Sequence, residues 1–406
     1  MEKSFLQRRD ALKKIGVTLL ASSTVGVAGC ASTRVTSDAT SPTQIDKASP
    51  PKISRPTLAP IRAQSDRITG VYVCTRPFRA AGPRIEMERL GHKQVVHNYG
   101  HGGSGWSLSW GSSALAVELA RSTNVRELGV IGCGALGLTS AIVAQRAGLS
   151  VRIYAKALPP DVYSMRASGL WTPNSRICDA EHAGAFADRW ETMARTSFGT
   201  YQSLLGVPGN PVQWIDGYAL SDVPFAQRHI VVADEPDYGE AQLSSRVDDL
   251  TPHSVELSAD EHPFAQPYVR RYTTLMFNIS SYARLLMNDF LTAGGKIEVR
   301  EFARPHDLMS LKEHTLINAT GYGARALFGD ETIIPVRGQT ARLIPQPEVT
   351  YGLSTADLSI VPRSDGILVQ RWGDSGNFNN ADTTPNREAS EQAVNELGAI
   401  MKNLRA

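Results

Sequence analysis

Apolar and polar positions alternate most legibly across "ELGVIGCGALGLTSAIVAQRAGLSVRIYAK", residues 127–156. Leu128 to Ile131 form the short continuous apolar run of a strand buried on both faces, and the residues after Gly137 are apolar at helical spacing. Gly148 stops that helix and "SVRIYA" resumes as a second strand, so the segment reads as one strand–turn–helix–strand unit. A second helix is predicted from about Trp106 to Leu119, entered from "HNYGHGGSG". Strands are predicted at "GVYVCT" (70–75), in a short run ending at Asn318, at "PVRGQTARL" (335–343) and around residues 367–372. Strands and helices in such alternation imply an α/β protein.

Length and charge narrow the class. A chain of 406 residues, 42% hydrophobic, is long enough for two packed lobes. Lys and Arg (42) nearly balance Asp and Glu (40), so no basic field argues for a nucleic-acid partner, and a small molecule is the expected one. No repeat at solenoid or propeller periods is present.

The first thirty residues read as an export signal. Arg8 and Arg9 in "LQRRDALKK" are placed as in twin-arginine signals, an apolar segment follows, and "VAGC" resembles a lipoprotein box ending at Cys30. The expectation is an exported, cell-envelope lipoprotein with a lipid anchor on Cys30, or with an ordinary secretory signal in its place. Residues 31–65, dense in Ser, Thr and Pro, read as a disordered tether.

Two glycine-rich turns carry the candidate chemistry. Gly132 permits the tight turn after the first strand, Gly134 lets the backbone approach a pyrophosphate, and Gly137 lets helix and strand pack closely. Lys156 stands where an acidic residue would bind a nicotinamide cofactor's ribose, which argues against a plain nicotinamide site. The four glycines between Gly100 and Gly105 permit positive φ and leave backbone N–H groups free to lie against a flat ligand at a helix start. Downstream, "INATGYGARAL" places Thr320 and Gly321 after a strand, as in a second dinucleotide contact. Cys74, Cys133 and Cys178 lack any CxxC spacing and no HExxH occurs, so no metal site is expected.

Taken together, "NYGHGGSG" with its following "WG" resembles the flavin loop of the D-amino acid oxidase family. "SGLWTP" (168–173), "INATGYGARAL", "PVRGQTARL" and "TRPFRAAGPRIEMERL" resemble further segments of that family, and together they span most of residues 66–380. Their order differs: the Rossmann strand comes first in the family, whereas here Arg76 and the His97 loop precede Gly132. The chain reads as a circular permutation, which predicts that strands 70–75 and 367–372 are neighbours.

The resemblance implies a Rossmann-type FAD-binding lobe (about 92–200 and 294–330) with a mixed-sheet substrate lobe (about 66–91, 201–293 and 331–400). By the same resemblance, Arg76 holds a substrate carboxylate, a role suited to a planar fork of donors, and the Gly103 carbonyl receives the substrate amine. Gly102, Ser104, Gly105, Trp106 and Ser107 would contact the flavin ring, Ser168, Gly169 and Leu170 would line it, and Arg79 would be a structural ion-pair residue. The activity implied is FAD-dependent oxidation of D-amino acids or related amines, with oxygen or another acceptor taking the electrons. A dehydrogenase passing electrons to a quinone and a non-catalytic flavin-fold binding protein remain the alternatives. The family's substrate tyrosines are replaced by Thr355 and Ser359, Tyr351 lies too early, and Arg371 is a candidate pocket cation or a charge at a strand edge. The insert at 206–271 is a candidate lid.

Overall fold

A computed structural model describes residues 55–228, 241, 243–372 and 376–405; the predicted signal, Cys30 and most of the predicted tether lie outside them. Strands β1 (Ile68–Phe78), β2 (Arg84–Leu90) and β3 (Lys93–Tyr99) lead into helix α1 (Gly105–Arg121). Then come β4 (Glu127–Ile131), α2 (Ala135–Arg146), β5 (Ser150–Ala155), α3 (Ala180–Gln202), β6 (Val212–Ser221), β7 (Val255–Leu257) and β8 (Tyr268–Phe277). The chain continues through α4 (Ile279–Thr292), β9 (Lys296–Val299), β10 (Thr315–Asn318), α5 (Gly323–Phe328), β11 (Ile334–Leu343) and β12 (Tyr351–Ser354). It closes with β13 (Leu358–Arg363), β14 (Gly366–Arg371) and α6 (Arg387–Lys402).

A six-stranded sheet runs in the order β2-β3-β10-β4-β5-β9. Its strands are parallel from β3 to β9, and β2 joins antiparallel at the edge. Parallel strands are covered on both faces, which is why the β4 and β10 sequences are nearly unbroken apolar runs. Helices α1 to α4 bury apolar faces in one core with this sheet. Two segments expected in the substrate lobe therefore belong here: β2 pairs along its whole length with β3, and α4 lends Ile279, Tyr282, Leu286 and Phe290 to the same core.

An eight-stranded sheet follows the order β1-β11-β14-β13-β12-β6-β8-β7, antiparallel except where β12 meets β6. On one face Leu343, Ile367, Val369 and Leu353 pack with Val394 and Leu397 of α6 and with Ile61. The predicted tether is thus too long: Ile61 is 2% exposed, the Ala59 carbonyl accepts the Tyr351 hydroxyl at 2.9 Å, and the Arg62 N–H donates to Gln346 at 2.8 Å. Strands β1 and β14 share this sheet, but β11 lies between them, so the expected direct pairing is corrected to a shared neighbour. Among the described residues no helix is long and apolar enough to cross a membrane. Cys133 and Cys178 are buried, and burial pushes their thiols up to about 12 and about 11, which leaves both unreactive.

Candidate active site

The turn between β4 and α2 is built by steric necessity. Gly132 holds φ +109°, and a side chain there would lie 2.5 Å from the Ala319 carbonyl oxygen at the end of β10; a Cβ on Gly137 would collide with the Gly132 carbonyl. Gly134 caps α2 in an extended conformation with no side-chain cap. The donor exposed by that choice, the Ala135 N–H, meets the Ser164 hydroxyl at 3.1 Å. On the β10 side, the Thr320 hydroxyl and N–H both turn back to Asn318 Oδ1, and Gly321 (φ +59°) opens onto free space. Lys156, at the end of β5, pairs with Glu301 at 3.5 Å.

The loop from Gly100 to Gly105 is used differently. The Gly102 N–H donates to Pro77 O at 2.9 Å and the Gly103 N–H to Ser175 O at 3.0 Å. The Ser104 hydroxyl donates to the Thr172 and Ser175 carbonyls, and Ser107 Oγ accepts the Thr172 N–H at 2.8 Å. A Cβ on Gly102 would collide with the Arg176 carbonyl. These glycines therefore hold the chain's own residues 172–176, the continuation of "SGLWTP". The donors left for a ring are the first-turn N–H groups of α1 at Gly105, Trp106 and Ser107, which a helix leaves without intrahelical acceptors. Trp106 Nε1 donates to Ser164 O at 2.7 Å, tying the two helix starts to one segment. Gly169 (φ +96°) and Trp171 bond to β8 through Phe277 N and Leu275 O, which fixes Ser168 and Leu170 beside them.

Behind the loop lies a buried polar chain. Asn98 Oδ1 accepts the Ser112 hydroxyl at 2.6 Å, so Ser112 receives the His101 Nε2–H at 2.7 Å, and Asn98 Nδ2 donates to Ser140 at 3.1 Å. Burial, with Arg189 nearby, lowers the His101 pKa to about 3, so the ring is neutral and Nδ1 is an acceptor. Among the described residues, His101 Nδ1 and Trp171 Nε1 are buried without a partner. These orphaned atoms, the α1 and α2 starts and the open Gly321 fit an FAD: Gly132, Gly134, Gly137 and Ser164 at its phosphates, the first turn of α1 at its ring.

Arg76, on β1, rests its guanidinium over Gly338 of β11, where an added Cβ would lie 2.5 Å from Nη2. Among the described residues Arg76 makes no hydrogen bond and has no carboxylate partner. Two strand positions away, burial pushes the Cys74 thiol up while Arg76, Arg166 and Arg337 pull it down, so this end of the sheet carries positive charge. Arg79 takes its expected structural place, donating to Thr332 Oγ1 at 2.9 Å and pairing with Asp330 at 3.5 Å. Arg371 does not share the face of Arg76: it points to the α6 side and pairs with Glu396, so the pocket-cation expectation is corrected. Thr355 Oγ1 closes the β12–β13 turn by accepting the Asp357 and Leu358 N–H groups. Ser359 lies on the Arg76 face, buried. Of the insert, residues 229–240 and 242 lie outside the description, and the rest builds β6, β7 and β8 rather than a discrete lid.

Three residues escaped the sequence reading. Ser164 carried no signal beyond standing four residues before "SGLW". Tyr272 lies across Gly217, whose missing side chain makes room for the ring, and its hydroxyl faces Ser354. Gln370 is buried opposite Thr340 and Ser359.

Residues 127–406, beginning at the first residue of β4, match the family described as FAD dependent oxidoreductase (DAO). The D-amino-acid oxidase of Dictyostelium discoideum is 23% identical over 303 residues, covering 67% of this chain and 72% of that protein. The D-amino acid oxidase of Dugesia ryukyuensis is 24% identical over 280 residues, covering 68% and 78%. Among solved structures, glycine oxidase from Bacillus cereus aligns at a TM-score of 0.46 and 13% identity over 68% of this chain and 80% of that one. The matched span takes in most of both sheets and the whole β4–α2 turn, and the chain accordingly belongs to the FAD dependent oxidoreductase family, as an enzyme that uses FAD.

Proposed function

We propose that this enzyme oxidises the Cα–N bond of D-amino acids or related amines, giving an imino acid that water converts to a keto acid and ammonia. Bound FAD supplies the hydride acceptor for the substrate Cα–H, and oxygen as final acceptor gives hydrogen peroxide. The observation that carries the reading is Arg76: a half-buried guanidinium held flat over Gly338, with no carboxylate of its own among the described residues. A free planar fork in that setting is complementary to a substrate carboxylate, which it binds through two parallel N–H donors. Gly103 offers its carbonyl to the amine, and holding both groups orients the Cα–H bond, an effect able to contribute several kcal/mol to the barrier reduction. The relatives' names, D-amino-acid oxidases, support the substrate class.

An anaerobic visible spectrum before and after adding amino acids tests the reading. Bleaching by D- but not L-amino acids is expected, with Arg76→Ala needing roughly a hundredfold more substrate, the loss of a charge-assisted bidentate pair. Flavin that stays oxidised with every amino acid would overturn it. Oxygen uptake against dye reduction then separates an oxidase from a dehydrogenase.

The export reading and the permutation belong to the same proposal. Cys30 is taken as the lipid-bearing residue of a twin-arginine lipoprotein, tested by labelled palmitate, whose incorporation should vanish in Cys30→Ser. The permutation is supported by residues 58–63 packing on α6, which brings the two ends of the folded body together, and by the short link 122–126 that joins α1 to β4. A chain re-cut into the order 127–406 then 55–126 should fold and bind FAD.

A further inference from the structure

The cross-strand register of the eight-stranded sheet places Thr340 opposite Gln370, Gln370 opposite Ser359, and Ser359 opposite Ser354. Directly opposed residues share a face, so these four polar side chains form one line across β11, β14, β13 and β12, three strand spacings or about 14 Å long. One row to one side lies Gly338, over which the Arg76 guanidinium rests. One row to the other side, Leu368 and Val361 pack against Leu170 of the "SGLW" stretch. The polar line thus runs between the carboxylate clamp and the apolar ridge beneath the segment assigned to the flavin.

Three of the four are buried and yet unbonded. Thr340, Gln370 and Ser359 are 5%, 9% and 6% exposed, and none of their side chains makes a hydrogen bond among the described residues. A fold that needed only a core here would use apolar residues, as it does on the opposite face of the same strands with Ala341, Val369 and Ile360. The residues are largely covered, but their side-chain polar atoms still reach solvent; three such open donors and acceptors in a row beside a free guanidinium are a surface that a ligand can complete.

From this we infer that Thr340, Gln370 and Ser359, with Ser354 at the far end, are the side-chain subsite of the substrate that Arg76 holds, and that they select neutral amino acids with hydroxyl or carboxamide side chains. This rests on the amino-acid oxidation proposed above. The line offers hydroxyls and one carboxamide, each able both to donate and to accept, and it contains no charge. The next cation on β14, Arg371, faces α6 and is paired with Glu396. Arg166, near Cys74, is spent on the Val73 carbonyl and stacks over the Tyr163 ring at 5.1 Å. Arg342, in the row of Leu368, pairs with Asp365 at 3.7 Å and lies over the Tyr72 ring at 4.4 Å. Among the described residues an acidic side chain along the row therefore meets no unpaired cation beyond Arg76, and an aliphatic one leaves all three groups unpaired.

The test uses the FAD-loaded protein and two readouts. Flavin bleaching is followed with D-serine, D-asparagine and D-glutamine against D-alanine, D-leucine and D-glutamate. Titration calorimetry measures succinamate against valerate, two carboxylates with no amine to oxidise. D-asparagine or D-glutamine should exceed D-leucine in kcat/KM, and succinamate should bind more tightly than valerate. Gln370→Leu should cut the D-asparagine to D-alanine ratio about tenfold, the worth of one or two neutral hydrogen bonds, and should erase the succinamate preference. Ser359→Ala, which deletes a single unbonded hydroxyl, is the second variant should Gln370→Leu fold poorly, and a threefold to tenfold drop is expected. D-leucine as good as D-asparagine, with both variants unchanged, would overturn the subsite while leaving amino-acid oxidation standing. Succinamate binding that depends on Gln370, with no amino acid bleaching the flavin, would do the reverse. Neither binding nor bleaching would overturn both.

Discussion

Two glycine clusters lead into helices in this molecule, and they look alike in sequence but do different work. The β4–α2 turn uses Gly137 to seat its own helix against the Gly132 carbonyl and Gly132 to admit the end of β10, a neighbouring strand that is distant in the chain. The loop before α1 uses Gly102 and Gly103 to accept residues 172–176, more than sixty positions away in the chain. The first arrangement leaves the α2 start for a phosphate; the second fills the space over its own glycines and leaves only the first-turn donors of α1. Glycine density reports close approach of a backbone, and whether the visitor is a cofactor or the chain itself is a tertiary fact.

Substitutions at the two clusters give the strongest way to break that contrast. Gly102→Ala and Gly137→Ala each force a Cβ into a carbonyl oxygen, and each is expected to cost about 4 kcal/mol, read by urea unfolding. The outcomes should differ in kind: Gly102→Ala exposes residues 172–176 to limited proteolysis, whereas Gly137→Ala loses FAD from the turn. If both variants fail identically, the two clusters are one structural unit and the contrast is wrong. Next in size is a pH effect behind the loop. His101 binds a proton near pH 6.5 when unfolded but only near pH 3 when folded, so the unfolded state takes up more protons and stability falls as pH drops from 6.5 towards 3. Between pH 7 and pH 5 this residue alone should remove about 2 kcal/mol, a loss that His101→Asn should lack. Gly321→Ala meets open space and pays only for its positive φ, so about 1 kcal/mol is expected, measured with and without FAD. Smallest is Arg371→Met, which removes an ion pair on the α6 face: a stability change within about 0.5 kcal/mol and an unaltered preference between D-glutamate and D-asparagine would sharpen the separation of the sheet's two faces.

Much of the fold was legible because its signals are local. Apolar runs of strand length, glycines at fixed offsets and a helix stopped by Gly148 specify the β4–α2–β5 unit through backbone sterics and pattern alone. The ordering of the eight-stranded sheet was not legible, since nothing near β1 or β14 in sequence reports that β11 inserts between them. Ser164 was invisible for a similar reason: its value lies in meeting the Ala135 N–H, twenty-nine positions back. The same limit decided Arg371 and Gln370. Adjacent on β14, they point to opposite faces because side chains alternate along a strand, and one finds Glu396 while the other joins Thr340 and Ser359. The sequence by itself determined the dinucleotide turn, because it depends on residue type and near neighbours, and its resemblance to the D-amino acid oxidase family pointed to FAD and to Arg76. Only the tertiary structure decided which face each strand residue serves, what fills the glycine loop and which polar groups are left without partners, because those depend on contacts between segments far apart in the chain.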